Sequence, residues 1–423
     1  MSEVKGRRLG DIVTFKRGYD LPLAKRLEGS YPVISSSGVS GFHAEYKQDG
    51  EGVITGRYGT LGEVYYVNGR YWPHNTALYA TSFHGNDPKY VFYLMKCLGN
   101  LKTSDKSTVP GINRNELHEI IVPFQENKWH QKQIAEILSA LDDKISINNS
   151  INAELEALAK TIYDYWFVQF DFPDANGRPY KASGGKMVYN EMLKREVPVG
   201  WETDCITSVC ELKGGGTPSK KVAENWNGDI PFFTPTDCQG DVFALNTADY
   251  ITTAGLNNCS SDLFDAGTVF ITARGSVGRL SIAGTPMAMN QSCYAFVPHN
   301  GVGTCYLYFL TKALIRHLEV KSTGSVFNSI VSNDIYHTSL LVPNRNLIKT
   351  YSKTIAPMFD QIKQNMLENV ELARLRDWLL PLLMNGQVIV SQKSEQIRYN
   401  EDVNKHAKGI SSHSVKHPKK VKI

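Results

Sequence analysis

The groupings in this chain best suited to chemistry are arginines and hydroxyls set beside glycines. Arg57, Tyr58 and Thr60 stand within Gly52-Val-Ile-Thr-Gly-Arg-Tyr-Gly-Thr-Leu-Gly62, and Arg274 and Ser276 within Gly267-Thr-Val-Phe-Ile-Thr-Ala-Arg-Gly-Ser-Val-Gly278. Glycine lets backbone come close to a phosphate, and arginine can meet a phosphate or pair with guanine in the major groove. The competing reading is a strand-to-strand turn that needs glycine only for its backbone angles. Lys102, Lys106, Arg114, Lys321 and Asn328, near Ser107-Thr-Val-Pro-Gly-Ile-Asn113 and Ser325-Val-Phe-Asn-Ser329, are alternatives of the same kind.

Groups for catalysis do not assemble. The chain has no G-x-x-x-x-G-K-[ST] phosphate loop and no Asn-Pro-Pro-aromatic amino-methyltransferase motif. Gly214-Gly-Gly-Thr-Pro-Ser-Lys220 imitates a phosphate cradle, but its lysine is misplaced and the stretch reads as a turn. The 11 histidines lack cysteine companions at metal spacing. Cys97, Cys205, Cys210, Cys238, Cys259, Cys293 and Cys305 are odd in number and form no C-x-x-C, which favours reduced thiols over disulfides or zinc.

With 423 residues, 42% hydrophobic and 10% aromatic, the chain suits two or three folded domains. No apolar run reaches membrane-spanning length, and MSEVKGRRLG lacks the apolar core of a secretion signal, so a cytoplasmic protein is expected. The net charge of +4 is uneven: Gly386 to the end carries +5, leaving the remainder about −1. A nucleic-acid role for the body would need local basic patches. The tail, rich in Ser, Lys and His, reads as a flexible extension making non-specific electrostatic contacts, or as a solubilising one.

The elements that must position these residues begin with a heptad rhythm. Ile134, Leu138, Leu141, Ile145, Asn148, Asn152, Leu155, Ala159, Ile162 and Trp166 step by fours and threes, the seam of a helix lying on another helix. The chain holds its own partner: Tyr351, Ile355, Met358, Ile362, Asn365, Asn369, Leu372, Arg376, Leu379 and Leu383 repeat the pattern, each seam with two asparagines near its middle. Asparagine at a seam costs stability but sets register, because its amide needs a polar residue opposite. Asn148 and Asn152 facing Asn365 and Asn369 would satisfy that need in an antiparallel pair.

The rest repeats as well. The two glycine stretches match with Gly59, Thr60 and Gly62 on Gly275, Ser276 and Gly278, and Asn75 before Thr-Ala-Leu-Tyr is echoed by Asn290 before Gln-Ser-Cys-Tyr. Short β-type runs lead in each copy to a helix, at 88–98 and at 305–318. The reading is α/β: one mixed domain over 1–128 with a spacer helix at 129–170, a linker at 171–196, a second domain at 197–347 with its helix at 348–384, and the basic tail at 385–423. A pseudo-two-fold internal repeat would run the helices antiparallel. About 35 helical residues at about 1.5 Å each make a spacer near 50 Å, suited to duplex DNA at about 34 Å per turn.

The order of these parts, with Ser107-Thr-Val-Pro-Gly-Ile-Asn-Arg114, Gln131-Lys-Gln-Ile-Ala-Glu-Ile-Leu-Ser-Ala-Leu-Asp142, Val197-Pro-Val-Gly-Trp-Glu202, Gly215-Gly-Thr-Pro-Ser219 and Leu375-Arg-Asp-Trp-Leu-Leu-Pro-Leu-Leu-Met-Asn-Gly386, resembles the specificity subunit of type I restriction-modification enzymes over residues 8 to about 390. The resemblance implies two target-recognition domains, each reading half of a split, asymmetric double-stranded DNA site, and two long antiparallel helices that set the gap and dock two methylation subunits. Two restriction/translocase subunits would complete the enzyme. It implies a chain without catalysis or bound cofactor, with S-adenosylmethionine, ATP and Mg on the partners. The rival reading is a coiled-coil adaptor without a DNA role. Two departures carry expectations: Pro357 predicts a kinked or non-helical start to the second helix, and the first domain has no counterpart of Gly200-Trp201-Glu202.

Overall fold

β-Branched and aromatic residues punctuated by glycine build the same two sheets twice. The computed structural model describes residues 4–57, 63–98, 113–321 and 329–390. The chain divides into one unit of Met1–Ser146 with Val370–Ile423 and a second of Ile147–Asn369.

In the first unit the strands are β1 (Thr14–Arg17), β2 (Tyr31–Ser35), β3 (Gly38–His43), β4 (Glu51–Gly56), β5 (Val64–Asn68), β6 (Trp72–Pro73) and β7 (Ala77–Ser82). They form an antiparallel sheet in the order β1-β7-β4-β5 and a smaller sheet in the order β3-β2-β6, with β2 and β6 parallel. The helix α1 (Pro88–Cys97) packs on β4 and β5. Its start is encoded locally: Asp87 caps the backbone N–H of Tyr90 at 2.8 Å and Pro88 occupies the first turn, where no N–H is needed. Alternation along β4 sends Val53 to the core shared with α1 and Ile54 to a second cluster with Ile34 and Tyr79. The long helix α2 (Lys128–Tyr163) begins in this unit.

The second unit repeats the plan with β8 (Cys210–Gly214), β9 (Trp226–Phe233), β10 (Asp249–Ile251), β11 (Val269–Thr272), β12 (Leu280–Ala283), β13 (Ala288–Met289) and β14 (Cys293–Pro298). The orders are β8-β14-β11-β12, extended at its edge by Phe243–Ala244, and β10-β9-β13 with β9 and β13 parallel. The helix α3 (Thr304–Lys321) packs on β11, β12 and β14.

Strand register fixes which residues correspond. Thr55 stands opposite Leu78 and Val64 in the first unit, as Ile271 stands opposite Tyr294 and Leu280 in the second. Val53 and Val269 face the main cores, Ile54 and Phe270 the lesser clusters. The turn after β6 agrees, since Ala77 N–H bonds His74 C=O as Cys293 N–H bonds Asn290 C=O. Asn75 therefore corresponds to Gln291, and Asn290 to His74. The echo expected between Asn75 and Asn290 is one residue out of register, because matching the tyrosines Tyr79 and Tyr294 would put a β7 residue of the lesser cluster onto the main-core face of β14.

A short antiparallel ladder closes each unit, Val4–Arg8 with Ile121–Gln125 and Glu202–Asp204 with Leu340–Val342. Val4–Arg8 thus occupies the place of Glu202–Asp204 without matching its sequence. Residues 171–198 hold a local bridge of Pro173 with Pro179, then a hairpin of Met187–Asn190 with Arg195–Pro198, which runs past the expected linker end at 196.

The second long helix, α4 (Arg345–Met384), spans 40 residues and runs unbroken through Pro357, contrary to the expected interruption. The ring removes a bond to the Lys353 carbonyl, but both residues are exposed, so water can satisfy that oxygen, while Ile355 and Phe359 on either side are buried and hold the turn. In the first unit Ile134 and Leu138 of α2 share a core with Leu379, Leu380 and Leu383 of α4. In the second, Ala159 and Tyr163 share one with Tyr351, Ile355 and Ile362. Within the second unit the helices are antiparallel: rising numbers on α2, from Asn149 through Asn152 to Ala159, meet falling ones on α4, from Asn369 through Asn365 to Tyr351. The chain beyond α2 continues as a π-helical turn, Asp164–Val168, which turns Trp166 and Phe167 into the core. No helix among the described residues is long and apolar enough to cross a membrane.

Candidate functional site

The glycine turns place part of the expected set. Arg57 is half-buried at the end of β4, its backbone N–H on Thr76 C=O at 2.9 Å. Register aligns Arg57 with Ala273, and Arg274 shares the same station through a bulge, since Ala273 and Arg274 both donate to Ser292 C=O, at 2.8 and 3.2 Å. Arg274 is exposed; Ser276 is half-buried and its carbonyl accepts from the buried hydroxyl of Thr272. Gly275 and Gly278 have φ of +79° and +82°, so the second turn requires glycine for its backbone alone. Arg114 opens a short helix, Arg114–Glu119, exposed and donating to the Asn115 side chain. Lys321 ends α3. Tyr58, Thr60, Lys102, Lys106 and Asn328 lie outside the described residues.

A second constellation, which the sequence reading did not single out, recurs in both units. The chain leaving β1 presses against the turn after β6 so tightly that a Cβ on Gly18 would sit 2.2 Å from the His74 carbonyl oxygen; a Cβ on Gly215, after β8, would sit 2.2 Å from that of Asn290. Two residues further on, Asp20 accepts from the Asn75 amide, and at the same station Thr217 donates its hydroxyl to the Gln291 amide oxygen. Asp20, Thr217 and Gln291 are exposed and Asn75 half-buried. Arg17, exposed on β1, lies beside them with Nε 3.4 Å from Asn75 C=O. His74 Nδ1 bonds the Thr76 hydroxyl at 3.0 Å, and burial together with Arg26 lowers the affinity of this ring for a proton. The sequence signal was the doubled Gly-Gly and Arg-Gly ends of β8 and β1, legible as a site only once the turns lie side by side.

The helix seam carries a polar ladder. Asn148 is buried and donates to Asn369 at 2.8 Å and Glu368 at 2.7 Å; Asn365 donates to Asn152 at 2.8 Å and accepts from Gln361 at 2.7 Å; Asn369 donates to Asn149 at 2.8 Å. Ile362 and Leu379 are buried, while Leu141, Ile145, Leu155, Ile162, Met358 and Leu372 are half-buried. Short helices tie to the long ones through carboxylates. In the first unit Tyr93 OH and Arg376 hold Asp142 at 2.7 and 2.6 Å; in the second Tyr308 OH, at 3.0 Å, and Lys312 hold Glu156. Burial, with Asp142 beside it, pushes the Tyr93 phenol far above its usual range, so it stays a donor. Ile147, Ile151 and Leu158 form an exposed apolar stripe on α2 at helical spacing.

Among the described residues no three of His, Cys, Asp and Glu are placed to hold a metal. Burial pushes the thiols of Cys210 and Cys305 up to about 12 and that of Cys238 up to about 11, which makes them poor nucleophiles.

A family model described as the type I restriction modification DNA specificity domain matches residues 1–157 and again 198–375. The specificity subunit of the type I restriction enzyme HindI of Haemophilus influenzae is 24% identical over 356 residues, which cover 71% of this chain and 77% of that one. The MjaIX specificity subunit of Methanocaldococcus jannaschii is 29% identical over 220 residues, 50% of this chain and 49% of that one. In fold, the S subunit of a type I restriction-modification system from M. genitalium superposes with a TM-score of 0.55 at 16% identity, covering 90% of this chain and 96% of that one. Both copies of the duplicated sheet pair fall inside the family match, and the chain belongs to the type I restriction-modification DNA specificity family.

Proposed function

We propose that this chain reads DNA sequence for a type I restriction-modification complex, each α/β unit recognising one part of a split, asymmetric site. It acts in the cytoplasm without catalysis of its own. Two methylation and two restriction/translocase subunits supply the chemistry and carry S-adenosylmethionine, ATP and Mg. The observation that carries the reading is one sheet-pair fold made twice, each copy within the family match, with different polar side chains at its corresponding exposed station. A duplicated frame with diverged tips is what reading two unlike half-sites demands, since base contacts specify while the frame only positions. The apolar stripe of Ile147, Ile151 and Leu158 is the surface offered to a partner helix.

The test is to express the chain with the methylation subunits of its own system in a host lacking adenine methylation and to map methylated adenines. A two-part motif with a fixed gap is expected. Methylation at a single uninterrupted motif, or without sequence preference, overturns the proposal.

A further inference from the structure

Resting on that sequence-reading role, we propose that Asn75 and Gln291 are the corresponding base-reading residues of the two units, each presenting its carboxamide to an adenine edge, with Asp20 and Thr217 as their positioning residues. Four features of the structure converge on these pairs.

The first is correspondence. Strand register and the shared turn put Asn75 and Gln291 at one station, and the glycine contacts put Asp20 and Thr217 at another, so the fold makes the same side-chain contact twice. The second is rigidity. Backbone touches backbone at Gly18 and Gly215, with no room for a Cβ, so both side chains of each pair leave from a fixed base. The third is accessibility: Asp20, Thr217 and Gln291 are exposed and Asn75 half-buried, while two residues further along the chain Ala77 and Cys293 are already buried in the strands. The fourth is that the frame is held while the chemistry differs. A carboxylate orients the amide in one unit and a hydroxyl in the other. A purely structural tie has no need to change in this way, whereas two heads that read different sequences do.

The atoms left over fit one base. An adenine edge in the major groove offers N7 as acceptor and the N6 amine as donor, the complement of a carboxamide. Asn75 spends one N–H on Asp20, leaving its second N–H and its Oδ1. Gln291 spends one lone pair of Oε1 on the Thr217 hydroxyl, leaving both N–H groups and the other lone pair. Each amide thus keeps a donor and an acceptor side by side, oriented from its nitrogen end in one unit and its oxygen end in the other. Arg17 beside Asn75, and Arg274 with its backbone on Ser292 next to Gln291, lie where phosphate contacts would position the heads.

The experiment is methylation mapping with the full chain and its methylation subunits. The wild-type complex first shows whether a two-part motif exists, which tests the role itself. Given that motif, Asn75→Ala should relax one adenine position in one part, lowering discrimination there by about ten- to a hundred-fold, and Gln291→Ala should relax one adenine position in the other part only. Asp20→Ala and Thr217→Val should weaken the same two positions without touching others. An unchanged motif in Asn75→Ala and Gln291→Ala, or changes that fall in both parts at once, overturns the inference while leaving the role intact. Should Asn75→Ala yield no assembled complex, Asn75→Asp keeps the size and removes the donors; the same position must still move, and an assembled complex with unchanged preference overturns the inference as well.

Discussion

Gly18 and Gly215 show how one missing atom decides a local structure. Neither is needed for a left-handed angle; both are needed because a methyl would enter a neighbouring carbonyl, and a backbone carbonyl cannot swing aside as a side chain can. Gly18→Ala is expected to cost about 1–3 kcal/mol in denaturant unfolding, read from the midpoint at constant slope. It should blur only one part of the recognised site. His118 supplies a pH-dependent contribution. Its Nε2 accepts the Phe15 N–H at 2.9 Å, a bond only the unprotonated nitrogen can make, and burial with Arg114 lowers the ring below its usual 6.5. Below about pH 6.5 the unfolded chain takes up a proton that the folded ring resists, so this contribution is full above that pH and is lost as pH falls through the folded value. Unfolding free energy measured from pH 7.5 down to 5.5 should fall more steeply for the wild type than for His118→Ala.

The long helices draw their specificity from a stretch that is poorly apolar. Asn148, Asn152, Asn365 and Asn369 give up hydrophobic burial and gain a ladder of amide bonds with one satisfactory register. Asn148→Leu alone removes the buried donor to Asn369 Oδ1 and to Glu368 and is expected to cost about 1–3 kcal/mol. Asn148→Leu with Asn365→Leu removes a donor from each of two separate pairs, so the costs should roughly add and the register loosen, seen as mixed species in native mass spectrometry or broadened helix signals; one unchanged species would refute the role given to the ladder. On the exposed stripe, Ile151→Asp with Leu158→Asp should leave the chain folded and sharply reduce co-purification of the methylation subunits. Both seams were legible because a heptad records which face is buried, whatever buries it. The continuity of α4 was not, because proline's local cost was outweighed by Ile355 and Phe359, whose burial depends on residues distant in sequence.

At the scale of the whole molecule, charge and duplication separate two kinds of binding. The +5 carried from Gly386 onward lies, in sequence, beyond both family-matched segments, so removing residues 391–423 should lower affinity for all DNA alike and reduce its salt dependence while leaving the methylated motif unchanged. A changed motif would show that the tail reads bases. The sequence by itself determined the duplication, the antiparallel helix pair and the family, because these follow from periodicity and the order of motifs along one dimension. The tertiary structure alone decided that Asn75 corresponds to Gln291, and that Asp20 and Thr217 meet them across loops distant in the chain. Register between strands is set by which face packs on which core, a quantity the spacing of residues in sequence does not contain.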